Sequence, residues 1–219
     1  DQIPIPIVSK HNALSLEYDN HILAVFTFIE GKWSFECKFN QVVTLIAKIH
    51  KATPKIRADV NKEDFNLPIA DQYLKHFQLL QRIKTPNRYI LELSQTMKKR
   101  RKQLQEYWGL FQEISKNCQS HDFSLYLTHG DVVCNTIEGH SGRVYIVDWD
   151  DILLAPRERD NWFMLDTKTT PKFLKVYCKL HPKYEPNMLA YKFHVFRRYF
   201  DDIEGFINEI LNHKRNKYK

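Results

Sequence analysis

Two short apolar runs, Leu125 to Leu127 and Val144 to Val147, stand in a chain whose apolar residues from Phe35 onward otherwise recur mostly at helical spacing. Each run is short and bounded by polar loops, so each reads as a strand rather than a helix. The first leads into the loop His129 to Asn135. The second ends on Asp148, and Glu138 to Arg143, with its glycines and serine, forms the turn before it. Asp131 and Asp148 are thereby delivered at strand ends on a β-loop-β unit. A chain that embeds such a unit among helices is restricted to an α+β architecture.

The helical segments are legible from their stripes. Phe35, Phe39, Val42, Ile46 and Ile49 fall on one face, with Ser34 as N-cap and an end near His50. A second helix, from about Pro68 to Ile83, aligns Ile69, Tyr73, Phe77, Leu80 and Ile83, and Pro68 sits where a helix start tolerates it. A third spans about Arg88 to Asn117, and Leu189 to Ile210 marks a long closing helix. The first thirty residues read instead as strands. Ile3, Ile5 and Ile7 alternate with prolines that demote them to an edge, Leu14, Leu16 and Tyr18 alternate again, and Ile22 to Ile29 is apolar nearly throughout. So small a sheet needs a covering layer. The expectation is a chain that opens partway through a domain, its strands covered by a missing small lobe or by self-association.

Charge and composition exclude several partners. The net charge of +7 is concentrated in Lys98, Lys99, Arg100, Arg101 and Lys102 and in Lys214, Arg215, Lys217 and Lys219. A solvated helix face and a basic tail account for these runs, and no basic segment interleaved with aromatics supports an RNA-binding domain. No nucleic-acid partner is expected. The longest apolar run, about eight residues, falls well short of the roughly 18 that cross a bilayer as a helix, so no membrane partner is expected either. Cys37, Cys118, Cys134 and Cys178 are widely spaced without a C-x-x-C pair, which fits free thiols in a reducing, cytoplasmic compartment.

The ordered set of motifs resembles a known family. Thr128-His129-Gly130-Asp131 followed by Asn135, then Tyr145-Ile146-Val147-Asp148-Trp149-Asp150, is similar to the paired signatures of aminoglycoside phosphotransferases and choline kinases. Leu154 to Asp160, with its Pro156-Arg157-Glu158-Arg159-Asp160, looks most like the matching stretch of spectinomycin kinase-type enzymes. Phe26-Thr27-Phe28-Ile29-Glu30-Gly31 resembles the family's hinge, and Leu45 to His50 its next helix. The resemblance implies a protein-kinase-like fold: residues 1–29 as the last strands of the nucleotide-binding small lobe and hinge, and residues 30–219 as a mostly helical catalytic lobe.

What the resemblance implies about chemistry follows residue by residue. Phosphoryl transfer from ATP, or another nucleoside triphosphate, needs a carboxylate at the acceptor hydroxyl and oxygen ligands for Mg2+. Asp131 would be the base, with His129 shaping its loop and Gly130 permitting an unusual backbone angle. Asp148 and Asn135 would hold the metal, Asp160 would support the loop from behind, and Thr27, Phe28 and Ile29 would meet the nucleotide's base. Asp150 and Asp151, with Asp201, Asp202 and Glu204, are candidates for a cationic small-molecule substrate, although the last three equally suit a solvated helix face. Three residues separate Asp131 from Asn135 where the family has four, which would move Asn135 off the metal unless the loop repacks. Nothing before Asp1 supplies a phosphate-covering loop or strand lysine, so the chain alone is expected to be inactive. A kinase-like binding or scaffold domain is the competing reading.

Overall fold

Helices form where the apolar stripes predict them, and each stripe finds a partner within its own part of the chain. The structure, a computed structural model, describes residues 2–33, 38–165 and 168–212. Two units emerge, one of Asp1–Glu63 with Phe123–Pro186 and one of Asp64–Asp122 with Asn187–Lys219. No helix among the described residues is long and apolar enough to cross a membrane.

Among the described residues the first unit carries seven strands: β1 (Leu16–Tyr18), β2 (His21–Leu23), β3 (Gly31–Trp33), β4 (Tyr126–Thr128), β5 (Thr136–Gly139), β6 (Val144–Ile146) and β7 (Leu153–Ala155). They form three antiparallel ladders, β1-β2, β3-β5-β6 and β4-β7. The two strands read from the sequence therefore lie in different ladders, and β5 stands between them in the chain. Neither β3 nor β5 was visible locally, because Gly31 pairs with Gly139 and Trp33 with Ile137 across about a hundred residues.

The N-terminal strands are shorter than expected. Pro4 and Pro6 have no N–H to contribute, and only a bridge between Pro6 and Phe26, with Ile7 N donating to Val25 O at 2.7 Å, joins that segment to its neighbour. Helix α1 (Phe39–Ala52) packs its buried face, Val42, Val43, Ile46 and Ala47, against Val144, Ile146, Phe173 and Tyr177, the last two on α6 (Thr170–Tyr177). A short helix, α5 (Glu158–Asn161), lies before it in the chain. Lys38 occupies the N-cap of α1, and the expected cap Ser34, with Phe35, lies outside the described residues.

The second unit is helical: α2 (Ala70–Arg82), α3 (Arg88–Lys99), α4 (Arg101–Gln119) and α7 (Met188–Asn212). Asn87 caps α3, its Oδ1 accepting from Tyr89 N and Ile90 N at 3.0 and 3.3 Å. Asn187 caps α7 in the same way. The single helix expected over 88–117 is two helices joined at Arg100, whose ψ of 6° departs from helical geometry. Packing supplies the reason, because α3 packs chiefly on α2 whereas α4 packs on α7.

At the centre of this unit, Phe200 is fully buried, stacked on Phe111 at 5.5 Å and edge-on to Trp108 and Tyr73 at 5.0 and 5.1 Å. Phe200→Ala leaves a void that rigid aromatic neighbours fill poorly, so it should cost about 3–5 kcal/mol. A lowered midpoint in urea unfolding checks this, and an unchanged midpoint would place the unit's core elsewhere.

Candidate active site

The loop after β4 is held from beneath by one buried carboxylate. Asp160 Oδ1 accepts from Gly130 N at 2.6 Å and His129 N at 3.1 Å, while Oδ2 accepts from His129 N at 3.0 Å and from His50 Nε2 at 3.1 Å. Burial by itself would raise this carboxyl, but the hydrogen bond and charge of His50, the Gly130 amide and the Arg159 guanidinium outweigh it and hold it below the usual carboxylate range. On the far side of the His50 ring, Nδ1 faces the Tyr177 hydroxyl. Burial pushes that phenol well above its ordinary value, so it stays protonated. Tyr177, His50 and Asp160 thus form a single hydrogen-bonded chain, and the loop amides donate to its Asp160 end.

His129 is itself buried, and its ring ties the two halves of the site together. Nε2 donates to Val147 O at 2.8 Å, Nδ1 accepts from Asp131 N at 3.3 Å, and the ring meets Trp149 edge-on at 4.8 Å. A carbonyl on one nitrogen and an amide on the other select the Nε2–H tautomer. Gly130 has φ +94°, and a Cβ there would lie 2.3 Å from Arg159 Nη2. The angle strains any larger residue there, and a Cβ would also have to displace the Arg159 guanidinium. Arg159 in turn donates to Thr128 Oγ1 at 2.9 Å and Asp151 O at 2.7 Å, so it clips the loop before Gly130 to the loop after Asp148.

The shortened segment between Asp131 and Asn135 closes as a tight turn. Asn135 N donates to Val132 O at 3.2 Å, and Asn135 Nδ2 donates to Asp131 O at 2.9 Å. Val132 is buried in the first unit's core and anchors the turn. Val147 N donates to Asn135 O at 2.9 Å, which sets Asn135 across from the residue preceding Asp148. Asp148 is exposed at φ +63°, a conformation that costs a non-glycine residue of order 1–3 kcal/mol and is commonly retained where function needs it.

With Asn135 Nδ2 committed to the loop, its Oδ1 and the Asp148 carboxylate are the oxygen donors in this pair. Hard oxygen donors in so small a number suit Mg2+, which fills its shell with water and phosphate oxygens. No group of three or more potential metal ligands of the His, Cys, Asp and Glu types occurs among the described residues.

A cavity of about 820 Å3 opens beside Asp148. Thr27, Phe28 and Ile29 line it together with Trp33, Asp148 and Asp150, so the proposed hinge and a proposed metal ligand share one mostly apolar pocket.

The acidic residues of the last helix stand differently. Asp201 and Asp202 pair with Arg197 Nε and Arg198 Nε, one turn back, at 3.7 and 3.0 Å, as on a solvated helix face. Glu204 does not belong to that face. It is buried and accepts from His76 Nδ1 at 2.7 Å.

His50 is not among the residues the motifs single out, although the sequence carries a signal for it. It falls four residues after Ile46 on the apolar stripe of α1, and a polar ring on a buried face requires a partner.

No protein-family model matches the chain, and no curated protein matches it. Solved structures do. Spectinomycin phosphotransferase in complex with ADP and spectinomycin superposes with a TM-score of 0.80 at 17% identity, over 98% of this chain and 69% of that one. An aminoglycoside phosphotransferase from Alicyclobacillus acidocaldarius gives 0.64 at 16%, over 95% and 68%. The choline kinase LicA from Streptococcus pneumoniae gives 0.52 at 14%, over 93% and 67%. The chain has the α+β, protein-kinase-like fold of these enzymes.

The Asp160 network yields a pH signature. Its native carboxyl titrates below the unfolded value of about 3.9, so its stabilisation is present above that pH and is lost as pH falls through the lower native value. Asp160→Asn should lose of order 3 kcal/mol near neutrality. The deficit relative to the natural protein should narrow as urea titrations step down below about pH 4. A deficit constant with pH would mean the charge of Asp160 is not what stabilises the loop.

Proposed function

We propose that this chain is the nucleotide-hinge and catalytic part of a kinase that phosphorylates a hydroxyl of a small molecule, with ATP or another nucleoside triphosphate as donor. The observation that carries the reading is the joint placement of Asp131, Asn135 and Asp148 around one braced loop, beside a cavity lined by Thr27, Phe28 and Ile29. The fold shared with phosphotransferases supports the same assignment, since spectinomycin phosphotransferase holds ADP and its substrate in that architecture. Residues 1–29 would contribute the last strands of the nucleotide-binding lobe and the hinge.

In this mechanism the apolar walls of the cavity take the nucleotide base, and backbone groups of residues 27–29 read its edge. The Asp131 carboxylate orients the acceptor hydroxyl and accepts its proton as the oxygen bonds to the γ-phosphorus and the bond to the departing diphosphate breaks. Asp148 and Asn135 Oδ1 would hold Mg2+, which when bound offsets charge on the phosphates. His129 and Asp160 touch no reacting atom. They fix the backbone from which Asp131 projects, and positioning of that kind supplies much of the rate enhancement in phosphoryl transfer. Asp150, in the same cavity, is a candidate for meeting a cationic substrate.

In the active protein, Asp131→Asn should lower turnover by a factor of order 10^2 or more with little change in nucleotide affinity, because a base acts chiefly in the transition state. Asp148→Asn should weaken nucleotide binding in the presence of Mg2+ and leave metal-free binding nearly unchanged. Steady-state ATP turnover and calorimetric titration of ADP with and without Mg2+ check the pair. Nucleotide binding without turnover on any small-molecule hydroxyl would favour the scaffold reading.

A further inference from the structure

The second unit contains its own cavity, again of about 820 Å3, between α2, α3 and α4. Tyr73, Phe77 and Trp108 are buried aromatics that line it, and the rings of Tyr73 and Trp108 lie 4.7 Å apart. Arg82, Lys98 and Arg101 also line it, and no acidic residue among the described residues does.

These cations differ from others on the same helices. Arg88 pairs with Glu92 at 2.8 Å and Lys102 with Glu106 at 4.0 Å, each one turn ahead, and Arg100 donates to Gln103 at 3.1 Å. Arg82, Lys98 and Arg101 have no hydrogen-bond or ion-pair partner among the described residues. Lys98, near the end of α3, and Arg101, at the start of α4, line the same space, where like charges repel unless an anion lies between. Gln81, which also lines the cavity, has a buried Nε2 with no acceptor. Unpaired cations gathered at a cleft bind an incoming oxyanion through charge-assisted hydrogen bonds.

We propose that this cleft is a second ligand site, for a small aromatic anion whose ring packs on Tyr73 and Trp108 and whose phosphate or carboxylate is bound by Arg82, Lys98 and Arg101. The volume lies within the range of small-molecule pockets, and the aromatic floor favours a planar body over inorganic phosphate alone. The basic run 98–102 is thereby divided. Lys98 and Arg101 serve the cleft, while Arg100 and Lys102 are engaged along the helix surface. The site is independent of the kinase reading, since every residue in it belongs to the second unit.

Calorimetry with phenyl phosphate as the probe tests this, with inorganic phosphate, benzyl alcohol and a short single-stranded RNA as comparisons. Phenyl phosphate should bind at least ten-fold more tightly than inorganic phosphate or benzyl alcohol, and its affinity should fall as salt is raised. The triple variant Arg82→Gln, Lys98→Gln, Arg101→Gln should bind it at least ten-fold more weakly yet melt, without ligand, at the same temperature or higher, because it removes a repulsion. Unchanged affinity in that variant would place the probe elsewhere and overturn the proposal. So would absence of phenyl phosphate binding at millimolar concentration, or RNA binding in its stead.

Discussion

The carboxylate of Asp160 is the fixed point around which the first unit's loops are arranged. Four hydrogen bonds converge on its two oxygens from His129 N, Gly130 N and the His50 ring. A carboxylate this buried is tolerable only when its lone pairs are filled, and here the donors that fill them are the backbone of the candidate catalytic loop. The cost of burying one charge is thereby converted into a restraint on residues 129 and 130. Helix α1 takes part through His50, and α6 through Tyr177, so the loop is referenced to the hydrophobic core and not only to its flanking strands.

That restraint brackets two left-handed backbone positions, of which only the one at Asp148 is unfavourable for its residue. Gly130 at φ +94° and Asp148 at φ +63° begin and end the stretch that carries the candidate chemistry. His129 links them, with its main chain on Asp160 and its ring on Val147 O, and Arg159 adds a clip between Thr128 and Asp151. The one-residue shortening before Asn135 is absorbed in the same framework. A tight turn pinned by buried Val132 returns the Asn135 side chain to the Asp131 carbonyl, and a ladder bond keeps its backbone opposite Val147.

The second unit shows how differently charges of one type behave according to their neighbours. Arg197 and Arg198 have Asp201 and Asp202 one turn ahead and form surface pairs of the kind worth well under about 1 kcal/mol each. Glu204, two residues further, is turned inward to His76. Arg82, Lys98 and Arg101 lack such neighbours and gather at a cleft floored by aromatic rings.

The sequence alone determined the long helical stripes of α1, α2 and α7 and the helical course of 88–117, because an apolar stripe at 3.6 spacing is a local property, and it singled out the loop residues His129, Gly130, Asp131, Asn135 and Asp148, because their order and spacing are also local. It did not show β3 or β5, whose pairing joins Gly31 to Gly139 and depends on contacts far apart in the chain. It did not show the joint at Arg100, since nothing in Lys98 to Lys102 breaks a helix and the joint accompanies packing of α3 and α4 on different partners. Only the tertiary structure decided which buried polar group answers which. The partnership of His50 with Asp160 spans 110 residues, and burial created the need for it.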